Sequence, residues 1–281
     1  MLEIPESRTI CRQLNQVIQG KRIKQVIAGH TSHSFAFFSL DKQQYPKILN
    51  GRVVTEVISL GSRVEIQTGG WSLDFEGGTI LRWLAIEEKR PAKHQLLVEF
   101  TDGTGLLCTV QMYGCIALFK EGEYQNKYYL VAKAKESHNP LSDSFTYEYF
   151  RDLWLQTKPN FSIKALLATE QRIPGVGNGV LQDILFKARV NPQSKLGNLN
   201  EDESHRIFVS LKETLLEMTS QGGRDTEKDL FGQSGGYRTI LSAKTWHFNC
   251  PVCMSSIIRK AFLGGNVYFC PQCQPIKESV G

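Results

Sequence analysis

Four cysteines near the end of the chain carry the clearest chemistry. Cys250-Pro-Val-Cys253 and Cys270-Pro-Gln-Cys273 are two C-x2-C pairs separated by sixteen residues. Each pair fits a tight knuckle that turns both sulfurs toward one point, and two knuckles supply the four thiolates of a tetrahedral zinc site. Four protein ligands leave no open position, so the expected cofactor is one structural zinc. A reduced cluster without metal is the competing reading. Between the knuckles, IIRKAFLGGNVYF reads as two strands joined through Leu263-Gly264-Gly265. A second feature is Gly175-Val-Gly177-Asn178. Glycine lets backbone approach a ligand closely, and the amides that open a helix point outward, which suits a phosphate. A joint between two helices contains glycine for structural reasons as well, and both readings stand.

The elements that must position these groups change character along the chain. Residues 7–19 are predicted to be a helix, with Ser7 as N-cap, an apolar stripe of Ile10, Leu14, Val17 and Ile18, and Gly20 as the stop. From about residue 21 to 130 the period drops to two. VVTEVISL, RVEIQ, WSLDFE, TILRWLAI, HQLLVEF, GLLCTV and CIALF read as short strands of a mainly antiparallel sandwich or barrel of about eight strands, with Gly-Ser, Gly-Gly and Asp102-Gly103 between several of them. Residues 131–143 read as a linker. From 144 the pattern is helical: Ser162 is placed to cap IKALLATEQ, Asn178 to cap GVLQDILFKARV, and Asn200 with Glu203 to form a capping box. Residues 224–243, with three glycines, read as a long loop. The fold class is therefore α+β: an N-terminal antiparallel β-sandwich domain with a flanking helix over 1–130, a helical domain over 144–243 and a zinc module over 244–281.

Composition narrows the function classes. The chain has 281 residues, 41% hydrophobic and 22% charged, which is globular and not disordered. It has no apolar run of membrane-spanning length and no signal-peptide pattern at its start. A cytoplasmic protein is expected, and its seven cysteines should be thiols or metal ligands. Cys11, Cys108 and Cys115 read as small buried residues, and the six histidines show no paired metal spacing. The net charge of +5 only permits a polyanionic partner. Its location is more telling. Residues 238–281 hold Arg238, Lys244, Arg259, Lys260 and Lys277 against Glu278 alone, so four of the five net charges sit on the cysteine-rich tail.

The order of these parts resembles the formamidopyrimidine-DNA glycosylase / endonuclease VIII family. The likeness covers nearly the whole chain and is strongest in FTYEYF (145–150), IKALLATEQRIPGVGNGVLQDILFKARVNP (163–192), LNEDE (199–203) and FCPQCQ (269–274), with LEIPES (2–7) resembling the family's opening Pro-Glu-Leu-Pro-Glu. The resemblance implies a helix–two-turn–helix domain, a zinc finger, and base-excision repair as a DNA N-glycosylase and apurinic/apyrimidinic lyase. The expected partner is double-stranded DNA with a lesion or abasic site, bound by a monomer in a bacterial, nucleoid-associated setting. In the family an N-terminal proline amine attacks the sugar C1′ and forms a Schiff base, and the next glutamate assists as acid and base. An α-amine suits this because its usual pKa of ~7.7–8 leaves much of it unprotonated near neutrality.

Position by position, this chain departs from that pattern. Leu2 stands at the nucleophile position. Because leucine is large, Met1 is expected to remain, which moves the free amine by one residue, about 3.8 Å of chain. Glu3 matches the catalytic glutamate and Glu6 the second glutamate of the motif. The strand lysine is replaced by Ser62, with Arg63 beside it as the nearest cation. Asn178 matches the phosphate-binding asparagine, and Lys164 a basic position of the helical domain. The hairpin arginine falls on Gly265, followed by Asn266. Met112-Tyr113-Gly114 stands where the family has Arg-Phe-Gly, and Tyr113 is expected to wedge between bases. The candidate catalytic residues are thus Met1, Leu2 and Glu3. The DNA-binding candidates are Arg63, Tyr113, Lys164, Asn178 and Asn266, and the metal ligands are Cys250, Cys253, Cys270 and Cys273. A catalytically silent protein that binds lesions or abasic sites is the alternative on the same scaffold.

Overall fold

A computed structural model describes residues 1–123 and 136–277. Five residues of the expected linker, 131–135, lie outside the described residues. The chain divides into two compact units, Met1–Glu136 with Glu227–Gly235, and Ser137–Thr226 with Gly236–Gly281.

The first unit opens with a helix over Ile4–Ile18, three residues earlier than the capping signal suggests. Pro5 explains the shift: its fixed φ and missing N–H suit the first helical turn, where a donor would have no partner anyway. Ser7 is therefore inside the helix, and its hydroxyl donates to Gly61 O at 2.6 Å. Ile10, Leu14 and Ile18 face the core, with Cys11 among them.

The strands form one seven-stranded sheet in the order β1-β6-β7-β5-β4-β3, with β2 added alongside β7. The strands are β1 (Ile23–Ala28), β2 (Ala36–Phe38), β3 (Glu56–Leu60), β4 (Arg63–Gln67), β5 (Trp71–Leu84), β6 (Leu96–Phe100) and β7 (Gly105–Lys120). All pairings are antiparallel except the parallel β2–β7 pair. The expected strand count of about eight falls because Gly77-Gly78 is not a turn. It is a bulge inside β5, and β7 likewise runs through Gln111–Gly114. The backbones cross so closely there that a Cβ on Gly78 would lie 1.9 Å from Gln111 O. Such a bulge bends both strands and re-aims the side chains beside it. The other glycine turns are as read: Gly61 has φ +61° between β3 and β4, and Gly103 φ +85° between β6 and β7.

Residues 227–235 fold onto this first unit although they follow the helical region in sequence. Leu230 is fully buried in the core shared with Leu14, Phe75 and Phe100, and Trp83 N donates to Leu230 O at 2.9 Å.

The second unit begins with a helix over Tyr147–Leu155, capped by Thr146. A five-residue π-helical turn follows at Ala165–Thr169, where Ser162 Oγ accepts from Ala165 N at 3.2 Å. The next helix, Asn178–Ala188, ends on Arg189 in the left-handed conformation. The last, Glu201–Ser220, carries the complete Asn200–Glu203 capping box that the sequence predicts. Strands β8 (Ile258–Phe262) and β9 (Gly265–Phe269) form the hairpin between the cysteine pairs. Phe262 pairs with Gly265, so the turn is Leu263-Gly264 and Gly265 belongs to β9. Both turn residues have positive φ, as a two-residue type I′ turn requires. Among the described residues no helix is long and apolar enough to cross a membrane.

Candidate functional site

The N-terminal corner of the first unit gathers several of the expected residues. Met1 is 44% exposed and its α-ammonium ion-pairs with the Glu227 carboxylate, 226 residues away in sequence. Leu2 is the opposite case. Its side chain is 5% exposed, packed in the main core, and its amide N–H donates to Gly77 O at 3.2 Å. With Met1 present, the nitrogen of Leu2 is an amide committed to the bulge, so the nucleophile position of the family pattern carries no amine here. Glu3 is the buried N-cap residue of the first helix, and Glu6 is buried in its first turn.

The bulge links this corner to Tyr113. A Cβ on Gly77 would meet Tyr113 O at 3.2 Å, so the residue that holds Leu2 also backs the β7 crossing. Met112 sits there with φ +64°, and both Met112 and Tyr113 project into solvent. An exposed aromatic and an exposed thioether on a strained crossing are placed for contact with a flat apolar partner.

Arg63, expected to contact DNA, does not join them at the surface. It is 2% exposed, its Nε donates to Asp74 Oδ1 at 2.8 Å, and its Nη1 pairs with Glu76. The cause is the period-two pattern of β4 and β5. Val64 and Ile66 face Phe75 and Leu73 on the apolar side, so Arg63 shares the other face with Glu65, Asp74 and Glu76. Glu65 is buried there too and accepts from Ser72 Oγ at 2.7 Å. Burial pushes the Asp74 carboxyl up to about 7 despite the opposing pull of Arg63, and burial raises Glu76 as well. The alternation of RVE against DFE is the sequence signal that could have found this network.

In the second unit Lys164 is also 2% exposed. Its Nζ donates to Phe262 O at 2.5 Å, and burial pulls its pKa down. Lys164 thus ties the π-turn to the hairpin. Asn178 is the first helical residue and Gly177 the N-cap, so Asn178 does not cap its helix by side chain. Instead its Nδ2 donates to Asn266 O at 2.9 Å, and Gln182 Nε2 reaches the same carbonyl at 3.2 Å. Asn178 Oδ1 is buried without a partner. Asn266 contributes its main chain to this corner. A Cβ on Gly265 would stand 3.3 Å from Asn178 Nδ2. Asn178, Gly265 and Asn266 are therefore brought together and closed on one another.

The four cysteines converge. Their sulfurs all lie within 4.8 Å of one another, with Cys250 to Cys273 at 3.8 Å and Cys253 to Cys270 at 3.3 Å. Metal–sulfur bonds of about 2.3 Å at tetrahedral angles place sulfurs about 3.8 Å apart, so the set fits a four-thiolate metal site. Hydrogen bonds from Ser255 draw the Cys253 thiol down to about 6, toward the thiolate a metal needs. The knuckles rest on Phe186, Leu241, Ile257 and Tyr268.

Two buried residues missed at the sequence level hold this module in place. Asp183 accepts from Tyr237 OH at 3.0 Å and from the amides of Ile240 and Leu241 at 2.8 Å each. Gln274 accepts from Cys270 N at 3.0 Å and donates to Val190 O at 2.9 Å. The final glutamine of FCPQCQ was visible only as part of a motif, and Asp183 gave no signal in an otherwise ordinary helix.

Comparison with known proteins places these features. A family model described as the formamidopyrimidine-DNA glycosylase H2TH domain matches residues 137–229. Formamidopyrimidine-DNA glycosylase of Brevibacillus brevis is 30% identical, over 98% of this chain and 99% of that one. The Bacillus cereus protein of the same name is 27% identical with the same coverage. Among solved structures, a complex between wild-type Lactococcus lactis Fpg (MutM) and a DNA containing N7-benzyl-Fapy-dG superposes with a TM-score of 0.83 at 24% identity, covering 97% and 99% of the two chains. That likeness speaks for the fold.

Proposed function

The chain belongs to the formamidopyrimidine-DNA glycosylase family, and from that membership we propose that it is a base-excision repair enzyme, a DNA glycosylase with apurinic/apyrimidinic lyase activity whose nucleophile is the α-amine of Met1. The observation that carries the assignment of the nucleophile is the contrast at the terminus: Leu2 is core with its nitrogen bonded to Gly77, whereas the Met1 amine is at the surface. The unprotonated amine bonds to C1′ of the damaged or abasic nucleotide, the base or water leaves, and a protonated Schiff base results. Glu3, two residues further on, is the group proposed to move protons during these steps. Tyr113 is proposed to fill the space left by an everted base.

The proposed partner is duplex DNA with a lesion or abasic site, met by a monomer in a cytoplasmic, nucleoid-associated setting. A phosphate contact at Asn178 requires its bond to Asn266 O to be exchanged. Cys250, Cys253, Cys270 and Cys273 would hold one zinc, whose chemistry is structural. The proposed organisation is a β-sandwich catalytic domain over 1–130, a linker over 131–143, a helical domain over 144–243 from which residues 227–235 return to the first unit, and the zinc module over 244–281.

Borohydride trapping on abasic duplex DNA, followed by mass spectrometry of the N-terminal peptide, tests the reading. A reduced adduct on the Met1 amine that is lost in Glu3→Gln with binding retained is the expected result. Tight binding with no adduct between pH 6 and 9 would make the protein a silent lesion binder.

A further inference from the structure

Glu227 lies outside the short motifs that carry the family resemblance, yet it is the residue the structure puts on the chain terminus. A terminal residue is ordinarily the least ordered part of a domain. A methionine amine displaced by one residue from the family position is useful only if something holds it. The Met1 ammonium and the Glu227 carboxylate form an ion pair, and the loop that carries Glu227 is itself fixed at three points. Leu230 is plugged into the core. Asp229 accepts from Gln13 Nε2 at 2.8 Å, and Leu230 N donates to Gln13 Oε1 at 3.1 Å, so one glutamine of the first helix grips both residues. Asp229 Oδ1 also accepts from Phe231 N at 3.0 Å and Gln233 N at 2.8 Å, which closes the loop on itself. The carboxylate is thus delivered from a rigid support and not from a mobile strand of chain.

We propose that Glu227 is a positioning residue for the Met1 α-amine, compensating in this chain for a nucleophile one residue away from the family's. It acts through the amine and does not touch the nucleotide. The inference rests on the lyase reading above and adds to it the group that places the nucleophile. A reacting nitrogen free to wander by ~1 Å loses on the order of 10²-fold in rate, so the clamp is expected to be worth that factor in the bond-forming step and nothing in DNA affinity.

Single-turnover borohydride trapping at saturating abasic duplex, with affinity measured separately on a tetrahydrofuran-containing duplex that cannot form an imine, reads both quantities. Wild-type protein is expected to give an adduct on Met1. Glu227→Ala is expected to trap about 10²-fold more slowly with unchanged affinity and unchanged melting temperature, and Glu227→Asp to recover most of the rate. A wild-type rate in Glu227→Ala would overturn the positioning role and leave the lyase reading intact. So would a loss of rate accompanied by an equal loss of binding or stability and not recovered by aspartate, whereas an adduct located away from Met1 would overturn the assignment of the nucleophile together with the positioning role. A wild-type protein that binds but never traps would overturn both.

Discussion

The cysteine module and the N-terminal corner solve the same problem in opposite ways. Each must hold reactive or ligating atoms at fixed separations. The module does it with local chain: Met254 N to Cys250 O and Gln274 N to Cys270 O, both at 2.9 Å, close the two knuckles within four residues. The corner does it with distant chain, since the terminus is held by Glu227 and the loop by Gln13, Trp83 and the core. A local device has little support without its ligand and takes only a few contacts from the rest of the fold, such as Gln274 Nε2 to Val190 O. A distributed device needs no ligand but fails when any remote support is lost.

The largest expected effect separates the two. Chelation of the metal should unfold the 250–273 hairpin, because a module of this size has few apolar residues of its own and its folding energy is largely binding energy. Hydrogen exchange should show protection lost in β8 and β9 and retained in β5 and β7, together with loss of DNA binding. Retained hairpin protection after verified metal removal would show that the contacts of Phe186, Leu241, Ile257 and Tyr268 suffice, and the contrast would fail.

The reverse experiment attacks the corner. Leu230→Ala removes a fully buried side chain from the core of the first unit, and such substitutions cost about 2–5 kcal/mol. Chemical denaturation should report that loss. The same variant should release Glu227, so trapping should slow even under conditions where the protein is fully folded.

How far each region could be read from sequence follows from the same contrast. Spacing announced the four cysteines, a hairpin turn at Leu263-Gly264-Gly265 that proves one residue shorter, and the Asn200 capping box, since each is built from residues a few positions apart. The bulge at Gly77-Gly78 was read as a turn because glycine marks both, and only the crossing with Gln111 distinguishes them. Arg63 and Lys164 are DNA-binding candidates by resemblance alone, and nothing in their local sequence announces burial. What buries them is a partner elsewhere, Asp74 and Glu76 on β5 or Phe262 O on β8. The pairing of residue 1 with residue 227 left no trace in local pattern at all.

The Arg63–Asp74–Glu76 network gives the corner's neighbourhood a pH signature. Asp74 has its folded pKa raised to about 7 from the ordinary 3.8. Between those values the folded state holds a proton that the unfolded state has lost, so stability falls as pH rises from about 4 to about 7. Asp183, raised to about 6, acts in the same direction over a shorter span. The denaturation free energy of Asp74→Asn should therefore decline less steeply with pH across that window than that of the wild type. An unchanged slope would remove Asp74 as its source.

The smallest effect concerns the corner of the second unit, where Asn178 is closed on Asn266 O and Gly265 replaces the expected arginine. Gly265 has an ordinary φ, and an added Cβ would sit 3.3 Å from Asn178 Nδ2, a contact that a shift of a few tenths of an ångström relieves. Gly265→Arg should fold with a stability change within about 0.5 kcal/mol. It restores one cation beside the proposed phosphate site, so the slope of log K against log salt for duplex DNA should steepen by about 0.9. The gain should be the same for lesion-containing and intact duplexes, because a phosphate contact carries no base information. A gain confined to lesion DNA would instead mean that this hairpin senses the damaged site. In that case the division of labour would be wrong, with reaction at the terminus and backbone grip at the hairpin no longer separate.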